Sequence, residues 1–420
     1  MRWQSRKERL EEHGANSEPR KGPTPGPPER TRGHAQKIIC LRGNSYAQKL
    51  YFRTAVTLKT YGMTNWYNLR VKATQQETDL AKTIELEVPE EAAAQFDFQP
   101  GQFLNVRLPM KGELEERSYS LSSPTLDEGL CITVKKMEGG KVSPAMVEGL
   151  EAGDELACAP PEGRFTISPK PDERRVHYFM AAGSGITPIF GLIRYLLEAE
   201  PKSQIHLLYG NRDEDDVIFK DQLEELAETY QGQLYIKHVF SRIPRPKWNI
   251  FKIDDSQPWH GRIDQKKVAK WLKRNQHRGF EAHYFVCGPG DMNQELYDYL
   301  KHSGIPSKHI HVESFLTAED RAETGTSESS WHLTAILDGQ QHEFDVMGDK
   351  PILEVLLDEG VDAPHSCTSG ACATCMAKVL DGEVAMDVDF ALSDEEKEEG
   401  YVLTCQGRAK SKNVSVNYDL

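Results

Sequence analysis

The sequence predicts a multidomain protein of the α/β and β classes, in which an antiparallel barrel precedes a doubly wound parallel α/β domain and a small third domain. The 420 residues exceed what one hydrophobic core supports and indicate about three domains. Short alternating runs give way near Arg175 to strands that alternate with helices. Four of the eight cysteines then fall in the last fifth of the chain. These three observations set the order of the domains.

The first domain is predicted from alternating apolar and polar runs between residues 67 and 168. These runs are bounded by Gly, Pro and Asp and recur at short intervals. Such spacing is typical of an antiparallel barrel of about six strands. The clearest runs are 83–88, 102–108, 117–123, 130–136 and 155–159.

The second domain is predicted from buried strands that alternate with amphipathic helices. This alternation favours a parallel, doubly wound sheet with helices on both faces. The predicted strands are 176–181, 205–209, 234–240, 283–287 and 310–315, and the predicted helices are 189–200, 219–230, 265–275 and 292–302.

The third domain follows a stretch at 316–330 that is rich in Thr, Ser, Glu and Ala and lacks apolar periodicity. That composition indicates a linker. Beyond it the pattern predicts a strand pair, a helix and then a loop that carries cysteines. We place the strands at 332–337 and 343–346 and the helix at 352–359.

The charge distribution separates the N-terminal stretch from the rest. Residues 1–62 carry 13 Lys plus Arg against 5 Glu, a net +8, whereas the remaining chain carries −22. An acid-poor targeting segment would have this composition. The alternative is an upstream stretch included by a wrong start, with Met63 as the true initiator. Neither explanation gives the stretch a catalytic role.

Overall composition excludes several classes of function. A net charge of −14 argues against a nucleic-acid binder, which needs basic patches. The apolar runs are shorter than the roughly 20 residues of a membrane helix. The cysteines are too sparse for a disulfide scaffold and too clustered to be incidental. We therefore expect a soluble, cytoplasmic protein with a metal site and no nucleic-acid or membrane partner.

The cysteine spacing predicts the metal. Four residues separate Cys367 from Cys372, two separate Cys372 from Cys375, and 29 separate Cys375 from Cys405. Plant-type 2Fe-2S clusters are ligated with this spacing. Small residues inside the loop let backbone amides approach the sulfides. Structural zinc is the main alternative, although it usually uses two close cysteine couples, and unliganded thiols are the third.

Two elements of the barrel have the chemistry of a flavin site. In the run from Arg117 to Ser120, alternation sends Arg117 and Tyr119 to one face. Arg can bind a pyrophosphate bidentately, Tyr can lie on an isoalloxazine ring, and a serine can donate to flavin N5. The turn at 139–144 predicts a helix with Ser143 as N-cap and Pro144 at its first position, which suits phosphate.

A glycine-containing loop in the second domain predicts a nucleotide site. The run 182–188 follows a buried strand and opens a helix, so its amides face a phosphate at the positive end of the helix dipole. The acidic residue that the usual dinucleotide fingerprint places about twenty residues further on is not at that position.

Taken together, these motifs resemble known families. The stretch 364–375 is similar to the cluster loop of plant-type ferredoxins, which have a β-grasp fold. The run 117–120 and the turn at 139–144, ahead of a nucleotide domain, resemble the ferredoxin-NADP reductase superfamily. Over about residues 66–420 the module order resembles most closely the reductase components of multicomponent oxygenases of the phenylacetyl-CoA epoxidase type. Thr368 departs from that pattern, since many relatives have a basic residue there.

The resemblance implies a set of cofactor contacts. FAD is expected, although one branch of the superfamily binds FMN, and the implied FAD contacts are Arg117, Tyr119, Ser120, Gly140, Val142 and Ser143. The implied NAD(P)H contacts are Gly183, Gly185, Thr187, Pro188, Asn211, Arg212, Gly288 and Pro289. Ser241 and Arg242 resemble the pair that holds the 2′-phosphate of NADPH, whereas the acidic run 213–216 opposes it, and NADPH is favoured over NADH.

Four residues are expected to act where the nicotinamide ring meets the flavin ring. By the resemblance, Ser120 lies at the flavin, Cys287 lies near the nicotinamide, Glu313 relays protons, and Phe315 covers the flavin face as a gate. As core residues at strand ends, Cys287 and Phe315 would have no such role.

The expected function is electron transfer from NAD(P)H through FAD and a 2Fe-2S cluster to a partner protein, most naturally an oxygenase component. The alternatives are a general ferredoxin or quinone NAD(P)H oxidoreductase and a non-catalytic redox-sensing module. The predicted domains are an N-terminal extension at 1–62, an FAD-binding barrel at 64–170, an NAD(P)H-binding domain at 171–317, a linker at 318–330 and a ferredoxin domain at 331–420.

Overall fold

The computed structural model describes residues 66–110, 112–242, 258–315 and 330–419. The predicted N-terminal extension and nearly all of the predicted linker lie outside these residues. None of the helices within the described ranges is long and apolar enough to cross a membrane.

The first domain is a six-stranded antiparallel sheet in the order β4-β3-β6-β1-β2-β5. Its strands are β1 (Tyr67–Thr78), β2 (Ala81–Glu87), β3 (Phe103–Met110), β4 (Glu113–Ser120), β5 (Leu130–Lys135) and β6 (Glu155–Cys158). A bridge between Leu121, just after β4, and Ile132 in β5 joins the two edges of the sheet. The inward apolar side chains form one core, so the predicted barrel is confirmed.

The helix after β5 begins earlier than the sequence predicts. Helix α1 spans Val142–Gly149, and its N-cap is Lys141, not Ser143. Ser143 lies inside the first turn because its hydroxyl accepts a hydrogen bond from the Met137 amide at 3.0 Å. The serine thus fixes the preceding turn, and the N-cap prediction was wrong.

The second domain is a parallel sheet in the order β10-β9-β8-β7-β11-β12. Its strands are β7 (Arg175–Ala182), β8 (Gln204–Asn211), β9 (Leu234–Phe240), β10 (Trp259–His260), β11 (Glu281–Cys287) and β12 (Ile310–Glu313), and its helices are α2 (Ile186–Ala199), α3 (Lys220–Thr229), α4 (Gln265–Arg274) and α5 (Gly290–His302). Separate apolar cores cover the two faces of this sheet. The strand order reverses between β7 and β11, where ligands of open α/β sheets bind.

A buried ion pair connects this sheet to the segment that follows the barrel and contains Lys170. Glu200, which follows α2, is fully buried and accepts hydrogen bonds from Arg175, His177 and Ser203. Burial alone would raise the pKa of Glu200, but the His177 and Arg175 hydrogen bonds hold that pKa well below its usual range. The Lys170 amide donates to the same carboxylate at 3.1 Å. The connection between the domains is therefore fixed at a charged, desolvated point.

The third domain is a mixed sheet in the order β14-β13-β19-β15-β17, with a separate β16-β18 pair. Its elements are β13 (Ser330–Leu337), β14 (Gln340–Met347), α6 (Ile352–Asp358), β15 (Met376–Asp381), β16 (Val384–Met386), α7 (Asp394–Glu398), β17 (Tyr401–Leu403), β18 (Gly407–Ala409) and β19 (Asn413–Asn417). Strands β13 and β19 are parallel, and apolar residues of α6 share the core with the sheet. The β-grasp fold expected for this domain is confirmed.

Candidate flavin, nucleotide and cluster sites

The predicted metal ligands come together in the third domain. Three of them lie on the loop between α6 and β15, and Cys405 follows β17. Cys372, Cys375 and Cys405 are buried, whereas Cys367 is half-buried. The amides of Ser369 and Thr374 donate to the sulfur atoms of Cys367 and Cys372 at 3.4 and 3.5 Å.

The four thiols interact as two hydrogen-bonded pairs, which lowers the pKa of one thiol in each pair and raises the pKa of the other. A hydrogen bond from Cys372, followed by hydrogen bonding from Ser369, lowers the pKa of Cys367 to about 6. A hydrogen bond from Cys405 likewise lowers the pKa of Cys375. Thiolate is the form that ligates metal. Two thiol pairs with amide donors among small residues fit a 2Fe-2S cluster.

The predicted flavin strand contains an arginine paired with one carboxylate and a buried serine. Arg117 contacts Glu115 at 3.2 Å, and Lys141 contacts the other oxygen of the same carboxylate at 3.2 Å. Burial raises the pKa of Tyr119, so its phenol stays protonated. The Ser120 hydroxyl is buried and has no hydrogen-bond partner among the described residues. An unpartnered buried hydroxyl beside a cation and an aromatic ring fits a flavin with its diphosphate.

The glycine turn places the other predicted flavin contacts at the start of α1. Val142 and Ser143 are buried there, and Gly140 lies between the serine hydroxyl and the Met137 side chain. A Cβ at Gly140 would lie 3.3 Å from both, so the turn is tightly packed. The Ser143 hydroxyl accepts from the Met137 amide, so its own O–H and the Ser143 amide are both available to donate to a phosphate.

The nucleotide crevice lies at the sheet's switch point, where two glycine loops meet. A Cβ at Gly185 would lie 2.0 Å from the Cys287 carbonyl oxygen and 2.9 Å from the Gly288 nitrogen. Only glycine allows that approach. Thr187 donates to the Ser184 carbonyl at 3.0 Å and fixes the first turn of α2, where Pro188 is also buried. The two predicted NAD(P)H loops thus form one surface, and Pro289 caps α5 beside it.

The predicted ribose contacts lie at the ends of β8 and β9. The Ser241 amide donates to the Asn211 carbonyl at 3.0 Å, and the Arg242 amide donates to the Arg212 carbonyl at 2.8 Å. Arg212 is bound bidentately by Asp216 at 2.5 and 2.6 Å. Although burial opposes it, the Arg212 hydrogen bond, with Lys135 and Arg242 nearby, lowers the pKa of Asp216. Arg212 and Arg242 therefore lie near Asp216, and the charges of Asp213 and Glu138 also act on Arg212.

Lys135 is a functional candidate that the sequence analysis missed. It ends β5, and its Nζ would lie 3.7 Å from a Cβ at Gly183 in the nucleotide loop. Burial lowers the pKa of Lys135, while Asp216 opposes the shift. A cation at the phosphate loop suits an anionic nucleotide. Its position at the end of a strand that precedes the glycine turn was the available signal.

The end of β12 holds a carboxyl group next to the cluster loop. Glu313 is buried, its Oε1 accepts from the Ser314 amide at 3.2 Å, and its Oε2 has no partner within the described part of the chain. Burial, and then the charge of Cys367, raises the pKa of Glu313 well above its usual range. Burial likewise raises the pKa of Cys287, which makes it a thiol and no nucleophile. Phe315 is 39% exposed.

A hydrogen-bonded chain connects the flavin strand to both sides of the cysteine loop. Ser118 donates to Asn105 Oδ1 at 2.6 Å, and Asn105 Nδ2 donates to Ser366 at 2.9 Å and to Glu162 at 2.7 Å. The other oxygen of Glu162 accepts from Thr374 at 2.9 Å. We call Asn105, Glu162, Ser366 and Thr374 the interdomain clasp. No sequence motif indicated it.

The second domain also holds the loop. Ser369 donates to the Ser314 carbonyl at 2.9 Å, between Glu313 and Phe315. The buried Asn293 side chain donates to the Glu313 carbonyl at 2.9 Å. All three domains therefore contact one another around the cysteine loop.

The acidic segment that precedes Cys405 contacts the protein itself. Asp394 contacts Lys301 at 3.1 Å and accepts from Ser307 at 2.6 Å. Glu396 pairs with Arg164 at 2.8 Å. The composition of this acidic segment would suit a basic partner. Part of the segment instead holds the third domain against the other two domains.

Three family models match the three domains in order. The model described as oxidoreductase FAD-binding domain matches residues 68–167, the oxidoreductase NAD-binding domain matches 179–297, and the 2Fe-2S iron-sulfur cluster binding domain matches 335–410. Together with the sites above, these matches define an NAD(P)H-dependent oxidoreductase with FAD, NAD and 2Fe-2S domains.

Relatives that span nearly the whole chain specify the family. One component of the 1,2-phenylacetyl-CoA epoxidase from Escherichia coli is 34% identical over 360 residues, 85% of this chain and 99% of that relative. The ferredoxin reductase component of 3-ketosteroid-9-alpha-monooxygenase from Mycolicibacterium smegmatis is 34% identical over 364 residues, 84% of this chain and 96% of that relative. The chain belongs to this family of modular flavin and iron-sulfur reductases.

The fold agrees with a solved reductase of the same modular type. Phthalate dioxygenase reductase aligns with a TM-score of 0.51 and 24% identity, over 84% of this chain and 98% of that one. At that identity the likeness concerns the fold alone. It supports the order of barrel, nucleotide domain and cluster domain.

Proposed function

We propose that this reductase delivers electrons from NADPH to the oxygenase component of a multicomponent oxygenase. The relatives named above are components of an epoxidase that acts on phenylacetyl-CoA and of a ketosteroid monooxygenase. An acyl-CoA oxygenase of the first kind is the favoured partner. The cysteine ligands, which need a reducing compartment, support a cytoplasmic location.

The observation that carries the proposal is the interdomain clasp. It joins the strand that bears Arg117, Tyr119 and Ser120 to residues on both sides of Cys367 and Cys372. A charge-assisted hydrogen bond is stronger and more directional than a neutral one. The loop is thereby positioned against the flavin strand, as transfer between two bound redox groups requires.

The roles of individual residues follow from their contacts. Arg117, Tyr119 and Ser120 would hold the flavin, whose chemistry would be uptake of a hydride from the nicotinamide and release of single electrons toward the cluster. Arg117 would exchange Glu115 for the diphosphate, and Ser120 would donate to the flavin ring. Gly185 and Gly288 leave room for the nicotinamide nucleotide. Phe315 is exposed enough to move aside from the flavin face, and the buried Glu313 holds a proton near it.

Nucleotide preference depends on the group at the ends of β8 and β9. A 2′-phosphate would compete with Asp216 for Arg212 and would gain Ser241 and Arg242. NADH would leave the Arg212–Asp216 pair intact. Because a 2′-phosphate would gain the Ser241 hydroxyl and the Arg242 guanidinium in addition to Arg212, we favour NADPH.

Turnover by the purified holoprotein tests this function. We expect reduction of both ferricyanide and cytochrome c, with a larger kcat/KM for NADPH than for NADH. Asp216→Asn should raise the NADPH preference further, because the variant removes the charge that opposes a 2′-phosphate. A protein that reduces neither acceptor with either nucleotide would be no reductase.

Co-purification addresses the partner. Tagged holoprotein, bound in a lysate of cells grown on an aromatic acid, should retain an oxygenase whose turnover depends on added reductase and NADPH. Retention of a ferredoxin alone, with electron transfer to it, would favour the general oxidoreductase instead.

A further inference from the structure

A group of histidines lies across the parallel sheet, near the strand ends that are opposite the nucleotide crevice. His177 and His283 are direct neighbours on β7 and β11. His309, just before β12, has its ring centroid 4.8 Å from that of His283, and the centroid of His311 lies 5.6 Å from it. His283 precedes Cys287 by four residues, about 13 Å along a strand. The group is therefore separate from the cofactor crevice.

Three side chains of this group offer metal ligands at one point. Glu281 Oε1 lies 2.8 Å from His283 Nε2, and these atoms and a ring nitrogen of His309 all lie within 4.8 Å of one another. In a tetrahedral zinc site with bonds of 2.0–2.1 Å, ligand atoms lie about 3.3 Å apart. His309 is half-buried on a short turn, so rotation of its side chain can close the remaining distance.

The groups behind these ligands are already in place. The other nitrogen of His283 lies 3.3 Å from His311 Nε2, and the other oxygen of Glu281 lies 3.4 Å from Lys170 Nζ. Such outer contacts orient the ligands of protein metal sites.

A hydrogen-bonded Glu–His pair accounts for Glu281 and His283, and ring packing against His283 accounts for part of the position of His309. Neither interaction uses the ring nitrogen of His309 that lies within 4.8 Å of the other two ligand atoms. Two imidazoles and one carboxylate are a known zinc ligand set with an open fourth position.

We propose that Glu281, His283 and His309 bind one Zn²⁺, with water as the fourth ligand. The ion would fasten the start of β12 to β11. Strand β12 ends at Glu313 beside the cluster loop, so zinc would stabilise the strand that supports that junction. The zinc would take no part in electron transfer itself.

Metal analysis of the iron-replete holoprotein tests the proposal. After dialysis against zinc sulfate and gel filtration, we expect one zinc per chain in addition to the two irons of the cluster. His309→Ala and Glu281→Gln should each lose that zinc and keep their iron. His302→Ala, which removes an exposed histidine of α5 in the same domain, should retain both metals.

Thermal unfolding gives a second measurement. Zinc should raise the unfolding temperature of the wild type and of His302→Ala, but not that of His309→Ala, because a ligand stabilises only the state that binds it. Zinc uptake that equals the iron lost would place the ion at the cysteines and overturn the proposal. Equal zinc retention in all variants, or none in the wild type, would overturn it as well.

Discussion

The cysteine loop and the nucleotide crevice are both loops at strand ends, but they hold their ligands by different means. The cysteine loop uses side chains whose chemistry and spacing are local, apart from Cys405. The crevice uses backbone, because Gly185 must approach the Cys287 carbonyl from a loop about a hundred residues away. Side-chain ligands can thus be inferred from the sequence, whereas a site made by backbone approach requires the fold.

The two regions also differ in what keeps them in place. The crevice belongs to one sheet, between β7 and β11, and is fixed by that sheet's packing. The cysteine loop is fixed by polar contacts to two other domains, through the interdomain clasp and Ser314. We therefore expect packing changes to disable the crevice and polar changes to uncouple the loop.

The largest effect should come from Gly185→Ala. Its Cβ would meet the Cys287 carbonyl at 2.0 Å, so the two loops must separate. Misplacement of about 1 Å can reduce a rate by about 100-fold. We expect at least this loss in kcat/KM for NADPH with ferricyanide, with the iron content unchanged.

Gly360→Ala is the control for a glycine whose Cβ position is empty. Gly360 has positive φ, unlike Gly185, and nothing lies within 4 Å of its Cβ position. We expect it to cost about 1 kcal/mol of stability and leave the NADPH kinetics intact. Wild-type kinetics in Gly185→Ala would show that the crevice is not built by this contact.

An intermediate effect should follow from Thr374→Val, which removes one hydroxyl of the interdomain clasp. A hydrogen bond to a charged group contributes about 1.5–3 kcal/mol. Its loss therefore lowers the equilibrium constant for the clasped position of the cysteine loop by about tenfold or more. Cytochrome c reduction should fall by about tenfold or more, while ferricyanide reduction is unchanged. The iron content and cluster spectrum show whether the loop itself is intact.

A double-mutant cycle with Glu162→Gln tests whether the clasp acts as one unit. Glu162→Gln also disturbs the Asn105 contact, so the double variant should lose little more than Glu162→Gln alone. Glu155→Gln, an exposed change on β6, serves as the control. Fully additive losses would mean that Glu162 and Thr374 act separately.

The smallest effect should come from Asp394→Asn, which changes the contacts of the third domain with Lys301 and Ser307. Contacts with Ser307 and then Lys301 lower the pKa of Asp394 to about 2, below its unfolded value of about 3.9. Its contribution is complete above about pH 4 and is lost only as the pH falls toward 2. This partly exposed pair contributes about 0.2–1 kcal/mol.

Hydrogen exchange across residues 387–400 measures that contribution. The loss of protection in Asp394→Asn should be equal near pH 6 and near pH 8, and should shrink in high salt, because ions screen an exposed pair. A difference that grows between those pH values would point to another titrating group.

The fold was largely predictable because its patterns are local. Most elements of the first two domains were predicted to within a few residues. The prediction used the alternation of apolar and polar residues in the barrel and the alternation of strands and helices after Arg175. No strand was predicted for β10 or for β15 to β19, and α7 was not predicted either. Strands β10, β16, β17 and β18 have only two or three residues, which carry no period. The start of α1 was misplaced because Ser143 binds the turn before it and does not cap the helix.

The site was less predictable where its parts are distant in sequence. Asn105 and Ser366 lie 261 residues apart, and neither belongs to a motif. Lys135 became a candidate only when β5 was found beside Gly183. The roles of Arg117, Asn211, Ser241, Arg242 and Phe315 toward their cofactors remain predictions.

The electron order from nucleotide to flavin to cluster is tested most directly by Cys372→Ser in the holoprotein. Loss of one cluster ligand should abolish cytochrome c reduction and leave NADPH-dependent ferricyanide reduction near the wild-type rate, because the flavin and nucleotide residues are untouched. Cytochrome c reduction at the wild-type rate in a variant shown by metal analysis to lack its iron would contradict that order.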